Sequence, residues 1–221
     1  MSTNGKSLSQ PESMTLYLAR HGQSEWNNQS RVSGQLDPGL SPKGHQQSEA
    51  IAYCLRDENL AAIYASALKR TVATARPTAD AKDLPIASMA DLNEINLGIL
   101  QGRFRDERDP EAQALWEKWR ADMWSFQVPG GERFDQLMQR VNRAVDTILN
   151  SHRGRSVLLV GHRATNRVVL GRLMGWPCER WPELALRNKY LYRIRMGRET
   201  QIATFTLSGN KIGACHDGFI M

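Results

Sequence analysis

The feature that most constrains the fold occurs twice. A short run of apolar, strand-forming residues stops abruptly at a histidine: Met14–Ala19 leads into Arg20-His21-Gly22, and Ser156–Val160 leads into Gly161-His162. Runs of this length with no polar alternation are the profile of strands buried on both faces. Leu60–Ala65, ahead of Ser66, is a third run of the same kind. Helical patterns follow each of them. Ser41-Pro42 supplies an N-cap and a proline for the first turn, and Ala50, Ile51, Cys54 and Leu55 then share one face, predicting a helix from about Pro42 to Arg56. After the turn signal Pro129-Gly130-Gly131, apolar residues from Phe134 to Leu149 recur at spacings of three and four, the clearest amphipathic helix in the chain. Helical spacing returns from Ala164 to Met174.

Alternating strands and helices predict an α/β fold, a three-layer α/β/α sandwich with a mostly parallel sheet covered on both faces. Ligand sites in such sheets lie beyond the carboxyl ends of the strands, so the loops at Arg20-His21 and Gly161-His162 are expected to reach one crevice. The stretch from Tyr190 to Cys215 reads as antiparallel edge strands. One domain, residues 14–221, is expected. No Gly/Ser-rich linker or internal repeat divides it. The first thirteen residues are polar, with too few large apolar side chains to offset the entropy of ordering, and are expected to form a disordered tail.

Charge is distributed unevenly. From Ser151 onward there are twelve Lys/Arg and four Asp/Glu, against seventeen and nineteen before it, and 22 of the 29 cationic residues are Arg. The planar guanidinium fork suits phosphate and carboxylate ligands. A positive surface also serves solubility, so composition alone leaves both readings open. Net charge is the only sign pointing to nucleic acid, and no binding motif accompanies it. No apolar stretch has the length of a membrane span or a signal peptide, which predicts a cytoplasmic protein with no membrane partner. Cys54, Cys178 and Cys215 fit neither a CxxC zinc pair nor a disulfide framework and read as reduced thiols. The five histidines show neither HxH nor HExxH spacing, and no Walker-type loop or GxGxxG is present, so no metal and no organic cofactor is expected.

At Arg20-His21-Gly22 an imidazole stands beside a permanent cation, with backbone N–H groups of the following turn facing the same space. That combination suits a phosphate. His21 could attack phosphorus in line while cations neutralise the equatorial oxygens. A lone histidine after a strand is more often structural. The weight comes from combination.

Leu18-Ala-Arg-His-Gly-Gln-Ser-Glu-Trp-Asn27, Arg31-Val-Ser-Gly34 with Leu40-Ser-Pro-Lys-Gly44, Ser66-Ala-Leu-Lys-Arg70-Thr-Val-Ala-Thr74, Leu92-Asn-Glu94 with Gly98 and Leu100-Gln-Gly102, and Val160-Gly-His162 occur in that order. Over the stretch from Leu16 to about Arg172 the sequence resembles the histidine phosphatase superfamily, which includes the cofactor-dependent phosphoglycerate mutases and their phosphatase relatives. The resemblance implies a phosphoglycerate mutase-like fold. It also implies a phosphohistidine on His21, a phosphoryl group held by Arg20, Arg70 and His162 with Asn27 as a further contact, and Glu94 as general acid and then base. Ser33 and Gly34 fall in the matching segment and are candidates for substrate contact.

The sequence departs from the family pattern in two places. Arg163 and Ala164 follow the second histidine where the mutases carry glycine and asparagine. An acid at that first position donates the proton in the phytase-like branch, which Arg163 cannot do. Ile95 and Leu97 stand where mutases place an arginine and a tyrosine for a carboxylated substrate. Both departures favour a phosphatase. Residues 101–128 read as a lid insertion, with Arg103, Arg105 and Arg163 as further substrate-binding candidates. Trp116 and Trp119 read first as helix anchors to the core.

The expected activity is hydrolysis of a small-molecule phosphate ester. A mutase-type phosphotransferase and a non-catalytic phosphate-binding scaffold are the alternatives. The five pocket groups Arg20, His21, Arg70, Glu94 and His162 are all retained, against the scaffold. Oligomeric state is open, a homodimer included.

Overall fold

The computed structural model describes residues 13–208 and 211–220, so the tail expected at the N-terminus lies almost entirely outside the described residues. Strands β1 (Met14–Arg20), β2 (Leu60–Ser66), β3 (Ile86–Met89), β4 (Ser156–Gly161), β5 (Tyr190–Met196), β6 (Thr200–Ser208) and β7 (Lys211–Asp217) form one sheet in the order β3-β2-β4-β1-β5-β6-β7. The pairings from β3 to β1 are parallel. Those from β1 to β7 are antiparallel. The parallel half arises from strands separated by helices, and the antiparallel half from the consecutive C-terminal strands.

Alternation along the strands fills two cores. Leu16, Leu18, Val157, Leu159, Tyr192 and Ile194 face one side, where helices α4 (Pro110–Ala121), α5 (Phe134–Ser151) and α6 (Arg163–Met174) cover them. Tyr17, Ala19, Ile63, Leu158, Val160 and Leu191 face the other, under α2 (Pro42–Cys54) and α3 (Lys69–Lys82). This is the sandwich expected from unalternating apolar runs. The Ser41 side chain accepts from the Gly44 N–H with Pro42 in the first turn, as the cap signal predicted. Along α5, Phe134, Leu137, Val141, Ala144, Val145 and Ile148 are all buried.

The segment expected to be an insertion carries α4 and packs onto the α5/α6 core. Trp119 is buried, and Trp116, Trp124 and Phe126 pack partly buried against the same cluster. No helix among the described residues is long and apolar enough to cross a membrane.

Leu137 is fully buried on α5. Leu137→Ala should cost about 2–5 kcal/mol of unfolding free energy, read by urea denaturation at constant m.

Candidate active site

The register of the parallel strands brings the site together. Arg20 at the end of β1 lies opposite Gly161 at the end of β4, and Ala65 near the end of β2 lies opposite Val160. The residues that follow therefore emerge along one edge of the sheet. The His21 N–H donates to the Gly161 carbonyl at 2.9 Å, and the His21 and His162 rings come within 5.2 Å between centroids.

His21 is 4% exposed and its tautomer is set by one bond, the 2.7 Å contact from Nδ1 to the Gly22 carbonyl oxygen. A carbonyl only accepts, so Nδ1 carries the hydrogen and Nε2 keeps its lone pair. Gly22 is held in turn by its N–H donating to Thr74 Oγ1 on α3. A Cβ here would lie 2.5 Å from the Gly44 carbonyl oxygen, so only glycine lets the loop approach the first turn of α2 this closely. Burial, then the guanidiniums of Arg20 and Arg70, hold the His21 imidazole well below its ordinary 6.5.

His162 is fully buried behind it. A guanidinium only donates, so Nδ1, 3.2 Å from an Arg70 terminal nitrogen, accepts. Nε2 therefore carries the hydrogen and donates to Ser66 Oγ at 2.7 Å. The Ser66 hydroxyl donates in turn to Thr71 Oγ1, which donates to the Leu68 carbonyl. Burial and then Arg70 keep this imidazole neutral as well.

Arg70 is 1% exposed and is anchored by carbonyl oxygens more than by charge. Its terminal nitrogens donate to Gly34 and Leu36, with Asp37 at 3.4 Å, and Nε is buried without a partner. Gly34 adopts φ +52, which turns its carbonyl to Arg70. The Arg20 Nε is likewise without a partner, and burial followed by the Arg163 charge lowers Arg20 from 12.5 to about 9. Ser24 caps the short helix α1 (Glu25–Asn28) and donates its N–H to Asn27 Oδ1, leaving the Asn27 amide nitrogen free to donate.

Glu94 reaches the start of α6. Its carboxylate accepts from the backbone N–H groups of Ile95, Arg163 and Ala164 at 3.0–3.4 Å. Arg140 on α5 clamps the segment beneath by donating to the carbonyls of Asp91, Asn93 and Glu94 while paired with Glu132.

These elements enclose a cavity of about 170 Å³ lined by Arg20, His21, Asn27, Ser33, Gly34, Arg70, Glu94, Arg105 and Arg163 from the sequence-derived set. His162 stands outside the lining, against Arg70. Arg103 also stands outside, because Asp109 at the N-cap of α4 takes its guanidinium in a bidentate pair and Glu111 adds a third contact. The cavity adds Arg120, Arg167 and Met123, which the sequence reading did not single out, and Arg31, Trp116 and Trp119, which it named without making them site residues. Seven arginines and a single carboxylate face it.

In this α/β sandwich the parallel strand ends deliver one neutral histidine into a guanidinium-lined cavity and set a second behind it against Arg70, an arrangement suited to an anion such as a phosphoryl group. The chain belongs to the histidine phosphatase superfamily (branch 1), whose model matches residues 16–206. It is 34% identical over 185 residues to "Probable phosphoglycerate mutase GpmB" of Yersinia pestis, covering 82% of this chain and 84% of that one. The structure of a mycobacterial glucosyl-3-phosphoglycerate phosphatase superposes with a TM-score of 0.77 at 26% identity, over 89% of this chain and all of that one. An alpha-ribazole phosphatase from Shigella flexneri, at 24% identity, shares the fold with a TM-score of 0.76 over 91% of this chain and 99% of that one.

The two depressed histidines set a pH dependence of stability. As pH falls below 6.5 the unfolded chain takes up two protons that the native protein refuses, so stability present above 6.5 is lost on acidification. Unfolding free energy should fall by about 2 kcal/mol per pH unit between roughly pH 6 and 5, and about half that slope should remain in His21→Asn, both read by urea titration.

Proposed function

We propose that the protein is a metal-independent phosphomonoesterase that hydrolyses a small phosphorylated metabolite through a phosphohistidine on His21. The observation that carries this reading is the Nδ1–H bond to Gly22, which leaves an unprotonated Nε2 on an imidazole in a cation-lined cavity. That nitrogen is a nucleophile at neutral pH. Its lone pair forms the N–P bond as the P–O bond to the leaving alcohol breaks. Arg20 and Arg70 neutralise the equatorial oxygens, and their buried, unpartnered Nε atoms are donors awaiting an acceptor. His162 supports this grip by orienting Arg70.

Glu94 gives its proton to the departing alkoxide. As a carboxylate it then takes one from the water that attacks phosphorus, and the N–P bond breaks to release inorganic phosphate. Backbone N–H groups at the start of α6 fix where that carboxyl stands. Metal assistance is unneeded in this scheme, since guanidiniums supply the charge that a divalent ion supplies elsewhere. The seven arginines facing the cavity would repel such an ion, and a lone carboxylate would not offset them.

The likeness to the Yersinia protein favours one second reading, transfer of the phosphoryl group back to an isomeric phosphoglycerate. Ile95 and Leu97 are buried apolar residues on the cavity wall, and Ala164 is buried beside them, so these positions offer no polar side chain for a carboxylate. Conversion between phosphoglycerate isomers without phosphate release would establish the mutase reading instead.

Hydrolysis of an aryl phosphate should persist in excess EDTA and vanish in His21→Ala; loss on chelation would overturn the metal-independent scheme. Glu94→Gln should slow alkyl phosphates by about 10²–10⁴-fold and aryl esters, whose leaving groups need less protonation, much less. Equal rates for wild type and Glu94→Gln on alkyl esters would remove Glu94 from the acid role.

A further inference from the structure

Glu94 stands on a stretch with no regular structure of its own. The short helical turn Ala90–Leu92 ends just before it, and the residues from Asn93 to Leu97 join no strand. Backbone groups in such a stretch find their partners on other elements, which then decide where the stretch stands. Arg140 on α5 supplies most of them. Its Nη1 donates to the Asp91 and Asn93 carbonyls at 2.9 and 2.6 Å, and its Nη2 donates to the Glu94 carbonyl at 3.0 Å. Nε and Nη2 also donate to the two Glu132 carboxylate oxygens at 2.7 and 2.8 Å, so every N–H of the guanidinium is engaged. Both side chains of this pair are only 13% exposed.

Glu132 holds the other side of the same stretch. Its Oε2 accepts from the Asn96 N–H at 3.2 Å, and its own N–H donates to the Asn96 carbonyl at 2.8 Å. The stretch is thus fixed on both sides of Glu94 by one buried ion pair. The backbone N–H groups of Ile95, Arg163 and Ala164 fix the carboxylate end of Glu94, whereas Arg140 and Glu132 fix the main chain from which that side chain projects. Neither Arg140 nor Glu132 lines the cavity.

We infer that Arg140, locked in place by Glu132, is a positioning residue for proton transfer by Glu94. The inference rests on the phosphatase reading and deepens it. A general acid works only within hydrogen-bond reach of the leaving oxygen, and a misplacement of about 1 Å can cost about 10²-fold in rate. His21, Arg20 and Arg70 are carried by β1, its loop and α3, so the phosphoryl grip does not hang on this pair. Loosening it should therefore tell mainly on esters whose leaving group needs a proton.

The ratio of kcat/KM on an alkyl phosphate to that on an aryl phosphate with a good leaving group tests this. Arg140→Lys keeps the charge but cannot reach three carbonyls and both carboxylate oxygens at once, and Glu132→Gln keeps the shape while breaking the ion pair. Each should slow the alkyl ester by roughly tenfold to 10²-fold and leave the aryl ester within about threefold of wild type. Leu137→Ala, which removes packing on the same helix but no hydrogen bond to the stretch, should leave the ratio near the wild-type value. An unchanged ratio in both pair variants, with the wild type active on both esters, would overturn the inference and leave the phosphatase reading standing. Equal slowing of both esters, or an equal shift of the ratio in Leu137→Ala, would show the pair to be structural and overturn it too. Thermal unfolding checks that the variants fold. Where Arg140→Lys does not, Glu132→Gln decides, and failure of both to fold would count the pair as structural. If the wild type hydrolyses no ester, the phosphatase reading fails and the inference falls with it.

Discussion

The site depends on the parallel pairing of β1 with β4 in the register that sets Arg20 opposite Gly161. Side chains in a strand alternate between faces, so a slip of one residue would carry Leu16 and Leu18 from one core to the other. It would also separate the two histidines, whose closeness comes from each leaving its strand at the same height. The buried Asn166 on α6 donates to the Ala19 carbonyl at 2.9 Å and so ties the helix after β4 to the last turnless residues of β1. Hydrophobic burial on both faces thus does indirect work for the chemistry, fixing the height at which two loops begin.

Concentrating guanidiniums around one cavity is costly unless their donors are satisfied without cancelling their charge. The protein does this with carbonyl oxygens. Arg70 donates to Gly34 and Leu36, and Arg167 to Leu184 and Pro182. A carbonyl satisfies hydrogen-bond geometry while leaving the net positive charge in place for a ligand. Arg103 shows the contrast: Asp109 and Glu111 neutralise it, and it lies outside the cavity.

Much of this was legible in the chain. Apolar runs ending at histidines gave the central strands and the edge from which the site emerges, because burial on both faces leaves no freedom to alternate. The Ser41-Pro42 cap and the α5 periodicity were legible because they are local. Arg103 was harder, since its fate is decided by where α4 begins and by Asp109 capping that start. Arg120 is exposed on α4 beside the buried Trp119 and still lines the cavity, a placement set by how α4 packs and not by any local pattern. Ser66 had a signal, its place at the end of an apolar run. What hid its bond to His162 is a separation of 96 residues bridged only by the β2–β4 pairing.

Arg163 joins the two halves of the site. Its backbone N–H holds the Glu94 carboxylate at 3.1 Å, while its side chain lines the cavity with Nε unpartnered. A residue lacking that side chain could still position the acid, because the contact to Glu94 is made by the main chain. The guanidinium is therefore not needed to hold Glu94 in place. Substitution at this position can thus change the charge facing the cavity while the N–H groups that hold the Glu94 carboxylate stay where the start of α6 puts them.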